Sequence, residues 1–77
     1  MMLGKLNVAV RTFTQRGPHI TKVLTEVLIR MGEMPIADRI IPGRWNQAQA
    51  LKEFRRFPDR FRPCGDFDRA KLNAVAA

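Results

Sequence analysis

The residues able to do chemistry in this 77-residue chain are mostly cations. Fourteen Lys and Arg stand against seven Asp and Glu, a formal charge of +7, and ten of the fourteen are arginine. Arginine carries a planar fork of donors that matches phosphate, whereas lysine is a compact, strongly hydrated point charge. Such a balance points to a polyanionic partner. The other reactive groups are sparse. A Cys–His nucleophile pair needs spatial adjacency and a third, orienting group, and nothing in the placement of His19 and Cys64 suggests either. One His and one Cys also cannot complete a tetrahedral zinc site. Asp59, Asp66 and Asp68 lack the spacing of a calcium loop, and the five glycines are scattered singly rather than forming a phosphate loop. The expectation is therefore a non-enzymatic domain with no metal, no cofactor and no small-molecule substrate.

The elements that must position the cations follow from punctuation and periodicity. Gly17-Pro18 closes a first section, residues 1–17, read as a basic arm or edge strand. Leu6, Val8 and Val10 alternate with period two, while Leu3, Leu6, Val10 and Phe13 would share one helical face, so periodicity leaves both readings open. Residues 18–77 then form one small domain. Ile20, Val23, Leu24, Val27, Leu28 and Met31 match an amphipathic helix over about 20–31, closed by Gly32. Pro35 suits the first turn of a short helix over about 35–41, ended by Pro42-Gly43. Asn46 is a good N-cap for a third helix, whose Ala50, Leu51, Phe54 and Phe57 face inward. Trp45 reads as core over the start of that helix and Phe67 as exposed. Residues 60–75 read as a small hairpin, with a short helix near 70–75 as the competitor.

That order of elements resembles a winged helix-turn-helix domain. The runs carrying the resemblance are Val23-Leu24-Thr25-Glu26-Val27-Leu28, Pro35-Ile36-Ala37-Asp38-Arg39-Ile40-Ile41 and Leu51-Lys52-Glu53-Phe54-Arg55-Arg56-Phe57-Pro58-Asp59-Arg60-Phe61. The last also looks like the end of LOTUS-type (OST-HTH) winged helices. The implied fold is mainly α (α+β): three helices, a C-terminal β-hairpin wing and a basic N-terminal arm. The implied interface is the third-helix face, Gln49, Lys52, Arg55 and Arg56, with wing cations Arg60, Arg62 and Arg69 on backbone phosphates. Gln49 is the one residue there suited to reading an adenine edge. Arg44 at the inter-helix turn, and Arg11 and Arg16 on the arm, complete the candidate set.

The expected partner is nucleic acid, DNA or RNA, with neighbouring protein subunits as a second class. Two alternatives stand beside a free-standing binding module. One is a structural subunit of a large ribonucleoprotein such as a mitochondrial ribosome; the other is a protein–protein winged helix. The first acid is Glu26, and the stretch before it carries cations and threonines. Such a start resembles a mitochondrial targeting segment, and otherwise an intracellular place in the cytoplasm, nucleoid or nucleus is expected. No apolar run approaches the ~20 residues of a spanning helix.

Overall fold

Alternating β-branched residues build the centre of the molecule. A computed structural model describes residues 5–77 and shows an antiparallel meander, β1 (Leu6–Arg16), β2 (Thr21–Met31), β3 (Met34–Pro42) and β4 (Arg62–Pro63), in sheet order β1-β2-β3-β4. Between β3 and β4 come helix α1 (Gln47–Arg56) and one 3₁₀ turn, Pro58–Arg60; helix α2 (Arg69–Ala76) ends the chain.

The expected three-helix, mainly α winged helix-turn-helix is overturned. The segment read as the first helix is β2, the central strand, paired with β1 along its whole length and with β3 from Leu24 to Met31. Its sequence satisfies two periods at once. Val23, Leu24, Val27 and Leu28 sit at helical spacing, but Thr21, Val23, Thr25, Val27, Ile29 and Met31 alternate, and most of these are β-branched, which favours strand. Thr25, Val27 and Ile29 are fully buried, while Glu26 and Arg30 between them are exposed. The short helix of about 35–41 is likewise β3. Its Pro35 is tolerated because it lies beside the irregularity at Ile29/Arg30, where the ladder shifts register. Gly32, at φ 62°, opens the two-residue turn between Met31 and Met34 and supplies the positive φ that a tight hairpin needs. Residues 6–16 are an edge strand; Leu3 of the competing helical face lies outside the described residues.

The third predicted helix exists as α1. Asn46 Oδ1 accepts from the Gln49 N–H at 2.8 Å, and Gln49 Oε1 accepts from the Asn46 N–H at 2.9 Å, a reciprocal capping box. The C-terminal hairpin is reduced to the two residues of β4, paired with Ala37 and Asp38. Its expected second strand is α2, capped by Asp68, whose Oδ1 accepts from the Lys71 N–H at 2.9 Å.

The helices pack on one face of the sheet. Phe54 and Phe61 meet edge to face with centroids 5.2 Å apart, and Ile36, Ile41, Ala50, Leu72 and Ala76 close the core around them. Trp45 and Phe67 pack against it half-buried, so Phe67 is not the exposed contact expected. Thr25 is the polar member of this interior. Its hydroxyl donates to the Gly43 carbonyl at 2.7 Å and accepts from the Trp45 N–H at 3.1 Å, tying β2 to the β3–α1 connection.

Past Thr25 the core ends. The rest of the β1–β2 hairpin extends beyond the helices as an arm, which fits the 51 × 20 × 19 Å extents of the molecule. Replacing Thr25 with valine keeps the shape but leaves the Gly43 carbonyl and Trp45 N–H without that partner. The expected cost is about 1–3 kcal/mol, read as a lower urea midpoint followed by the fluorescence of Trp45. An unchanged midpoint would contradict the role given to this hydroxyl.

Candidate nucleic-acid interface

Internal partners divide the cations into two groups. Arg39 lies under the sheet, donating to Glu53 Oε2 at 3.1 Å with its guanidinium 5.4 Å from the Phe61 ring centre. Arg62 grips Asp38 through two bonds, 2.9 and 2.7 Å. Arg11 reaches Glu26 at 3.4 Å. Arg69, at the start of α2, donates to the carbonyls of Pro58 and Phe61 and so pins the 3₁₀ turn to the helix. Three of the predicted contact residues, Arg11, Arg62 and Arg69, are thus engaged within the chain. Without a wing, Arg60 stands on the 3₁₀ turn, Arg62 on β4 and Arg69 on α2.

The second group is free of acidic partners among the described residues. Lys52, Arg55 and Arg56 are exposed on α1, at the i, i+3, i+4 spacing that puts side chains on one side of a helix. Arg56 and Arg60 both lie over Phe57, their guanidinium carbons 5.4 and 4.0 Å from its ring centre. The half-buried ring thereby joins the end of α1 to the 3₁₀ turn as one cationic ridge. Asp59, exposed on that turn, is the acid flanking it. Gln49 also faces outward, but its side-chain oxygen is held by the helix cap, so the two-point reading of an adenine edge is half blocked.

Arg44 and Arg16 lie elsewhere. Arg44 is exposed in the connection between β3 and α1, at the base of the arm; Arg16 is at its outer end, across the loop from Lys22. Lys22 and Arg30 were not singled out from the sequence, because a hairpin is needed to bring Lys22 beside Gln15 and to turn Arg30 outward. The alternation of residues 21–31, bounded by Gly17-Pro18 and Gly32-Glu33, was the signal available.

The face of the sheet opposite the helices carries Leu24 and Leu28, both half-buried, and Ile40, largely exposed. Beside it a groove of about 560 Å³ runs along β3, lined by Leu28, Ile40, Arg60 and Arg62 among others. Cys64 sits at the edge of this region, its thiol donating to Asp38 Oδ2 at 3.3 Å. Burial, then the Asp38 carboxylate, pushes that thiol up, away from the thiolate a nucleophile needs. Among the described residues, no cluster of His, Cys, Asp and Glu is placed to hold a metal ion, and no helix is long and apolar enough to cross a membrane.

No protein-family model matches the chain, and neither a curated protein nor a solved structure does.

The Arg62 guanidinium, through its hydrogen bonds, holds the Asp38 carboxyl below its ordinary 3.8, against the opposing effect of burial. A carboxyl lowered on folding stabilises above its unfolded pKa, and that contribution is lost as pH falls through the lower folded value. In Arg62→Ala the Asp38 titration, followed by carboxyl NMR, should move up toward 3.8, and the acid limb of stability should flatten. An unmoved titration would show that the pair does not set it.

Proposed function

We propose that this chain is a non-enzymatic nucleic-acid-binding module that holds phosphate backbone on the α1 ridge of Lys52, Arg55, Arg56 and Arg60. The observation that carries the reading is the division of charge. Glu26, Asp38 and Glu53 are taken up in ion pairs and Asp68 caps α2, whereas none of the ridge cations forms an ion pair among the described residues, Asp59 beside Arg60 included.

Like charges at i, i+4 on a helix repel, and here Lys52 and Arg56 repeat that arrangement beside Arg55. Among the described residues no ion pair relieves it. A polyanion does, and releases its own condensed counterions in the process, which is the main source of affinity for nucleic-acid backbone. Phe57 adds a second element. Its ring keeps two guanidiniums at a fixed place on the surface, so less side-chain freedom is lost when they meet phosphate. The contacts are of the positioning kind, which fix orientation without reading sequence.

The test is binding of the purified chain to duplex DNA, duplex RNA and single-stranded RNA over a salt series. The chain should bind with a steep loss of affinity in salt. In the Lys52→Ala, Arg55→Ala, Arg56→Ala variant the slope of log K against log salt should be shallower by about 3. Equal binding by the folded variant would remove the ridge from the interface. A preference for RNA over duplex DNA would favour a ribonucleoprotein subunit.

A further inference from the structure

The arm has no part in the core or the ridge. Its outer end is three residue pairs, Thr14↔Val23, Gln15↔Lys22 and Arg16↔Thr21, plus the loop 17–20. β3 reaches no further than Pro42 opposite Leu24, with Gly43 donating to the Val23 carbonyl at 2.8 Å, so beyond this point two strands stand alone. Solitary two-stranded ribbons are marginal in water. This one nevertheless carries a shaped tip, closed by the Gly17 N–H donating to the Ile20 carbonyl at 2.7 Å and stiffened by Pro18.

Its side chains are mostly polar or cationic. Thr14, Gln15, Arg16, Thr21 and Lys22 are all exposed, there is no acid between Lys5 and Thr25, and Ile20 at the tip is 60% exposed. Hydrogen-bonding and cationic groups along the ribbon with one apolar group at its end form a set that can meet base edges, phosphates and a thymine methyl.

We infer that the β1–β2 arm enters the major groove of double-stranded DNA, with Gln15 and Ile20 toward the bases and Arg16 and Lys22 on the flanking phosphates. This rests on the reading of the chain as a nucleic-acid binder and adds which nucleic acid it takes. The dimensions select it. Paired strands lie about 4.8 Å apart and rise about 3.4 Å per residue, so the free pairs and their loop make a narrow prong somewhat longer than 10 Å. The B-form major groove is roughly 12 Å wide and 8.5 Å deep and admits a two-stranded ribbon as it stands, whereas the minor groove, about 6 Å wide, admits one only when the duplex is bent and widened at a cost. In A-form RNA the major groove is deep and closed to side chains. Arg44, exposed at the base of the arm, is placed to meet the backbone at the groove's rim.

The experiment compares affinities of the whole chain for a DNA duplex, an RNA duplex of the same sequence, and the DNA duplex with bulky substituents on pyrimidine C5 that fill the major groove. The unmodified DNA should bind about tenfold more tightly than either of the others, the order of one good base contact. Arg16→Ala with Lys22→Ala, and separately Ile20→Ser, should remove that preference and leave residual binding through the ridge. These side chains touch no core, and Trp45 fluorescence checks that the variants fold. Equal affinity for the three duplexes would overturn groove entry while leaving the ridge reading intact. Equal losses on DNA and RNA in the arm variants would do the same, reducing the arm to a phosphate contact. A folded chain that binds no nucleic acid would sink both.

Discussion

Two short helices can cover only part of one face of an eleven-residue hairpin, and the rest of the molecule is arranged around that shortage. A chain of this size buries only about 60% of its unfolded surface, so its apolar residues must be concentrated. They are gathered between the helices and one face of the sheet, around Val27, Ile29, Phe54, Phe61 and Leu72. Thr25 marks the limit. Its hydroxyl satisfies two backbone groups of the β3–α1 connection in the last buried position before the strands leave the body. Beyond Val23, whose carbonyl still accepts from the Gly43 N–H, the backbone is satisfied between two strands alone, and every side chain from Thr14 to Lys22 faces water.

The same economy governs charge. Three of the seven acids sit where the fold uses them: Glu53 under the sheet against Arg39, Asp38 against Arg62 at the β3–β4 pairing, Asp68 at the start of α2. The Arg39–Glu53 pair is largely shielded, and removing one partner would leave a charge in a poorly solvated place. Of the cations outside these pairs, Lys52, Arg55, Arg56 and Arg60 gather on the ridge and Arg16 and Lys22 on the arm, while Lys5, Arg30 and Lys71 are spread singly over the surface. The excess of positive charge on the ridge and arm is what the proposed polyanionic partner would offset.

The parts legible in the sequence are those fixed by local chemistry. Asn46 marks the start of α1 and Pro58 its end, because capping bonds and a missing N–H act within a few residues. Lys52, Arg55 and Arg56 were legible with that helix; Arg60, expected on a wing, stands instead on the 3₁₀ turn. β2 was not, because Val23, Leu24, Val27 and Leu28 fit a helix, and a strand is distinguished from it by partners far along the chain. Leu24 and Leu28, which helical spacing would bury, lie on the uncovered side of the sheet. The alternation of Thr and Val through Ile29 was the better guide. Asp68 was a readable cap for α2, outweighed by the wing that the winged-helix resemblance supplied. The arm followed from none of this, since it exists only once β1 and β2 pair.

The measurement that bears most directly on the account is amide chemical-shift mapping of the chain titrated with a short DNA duplex. The division between a charged outer surface and a neutralised body predicts shifts on the arm, around residues 14–22, and along Lys52–Arg60, with the open sheet face at Leu24, Leu28 and Ile40 undisturbed. Shifts confined to that open face, with arm and ridge silent, would contradict it and turn attention to a partner that covers the sheet.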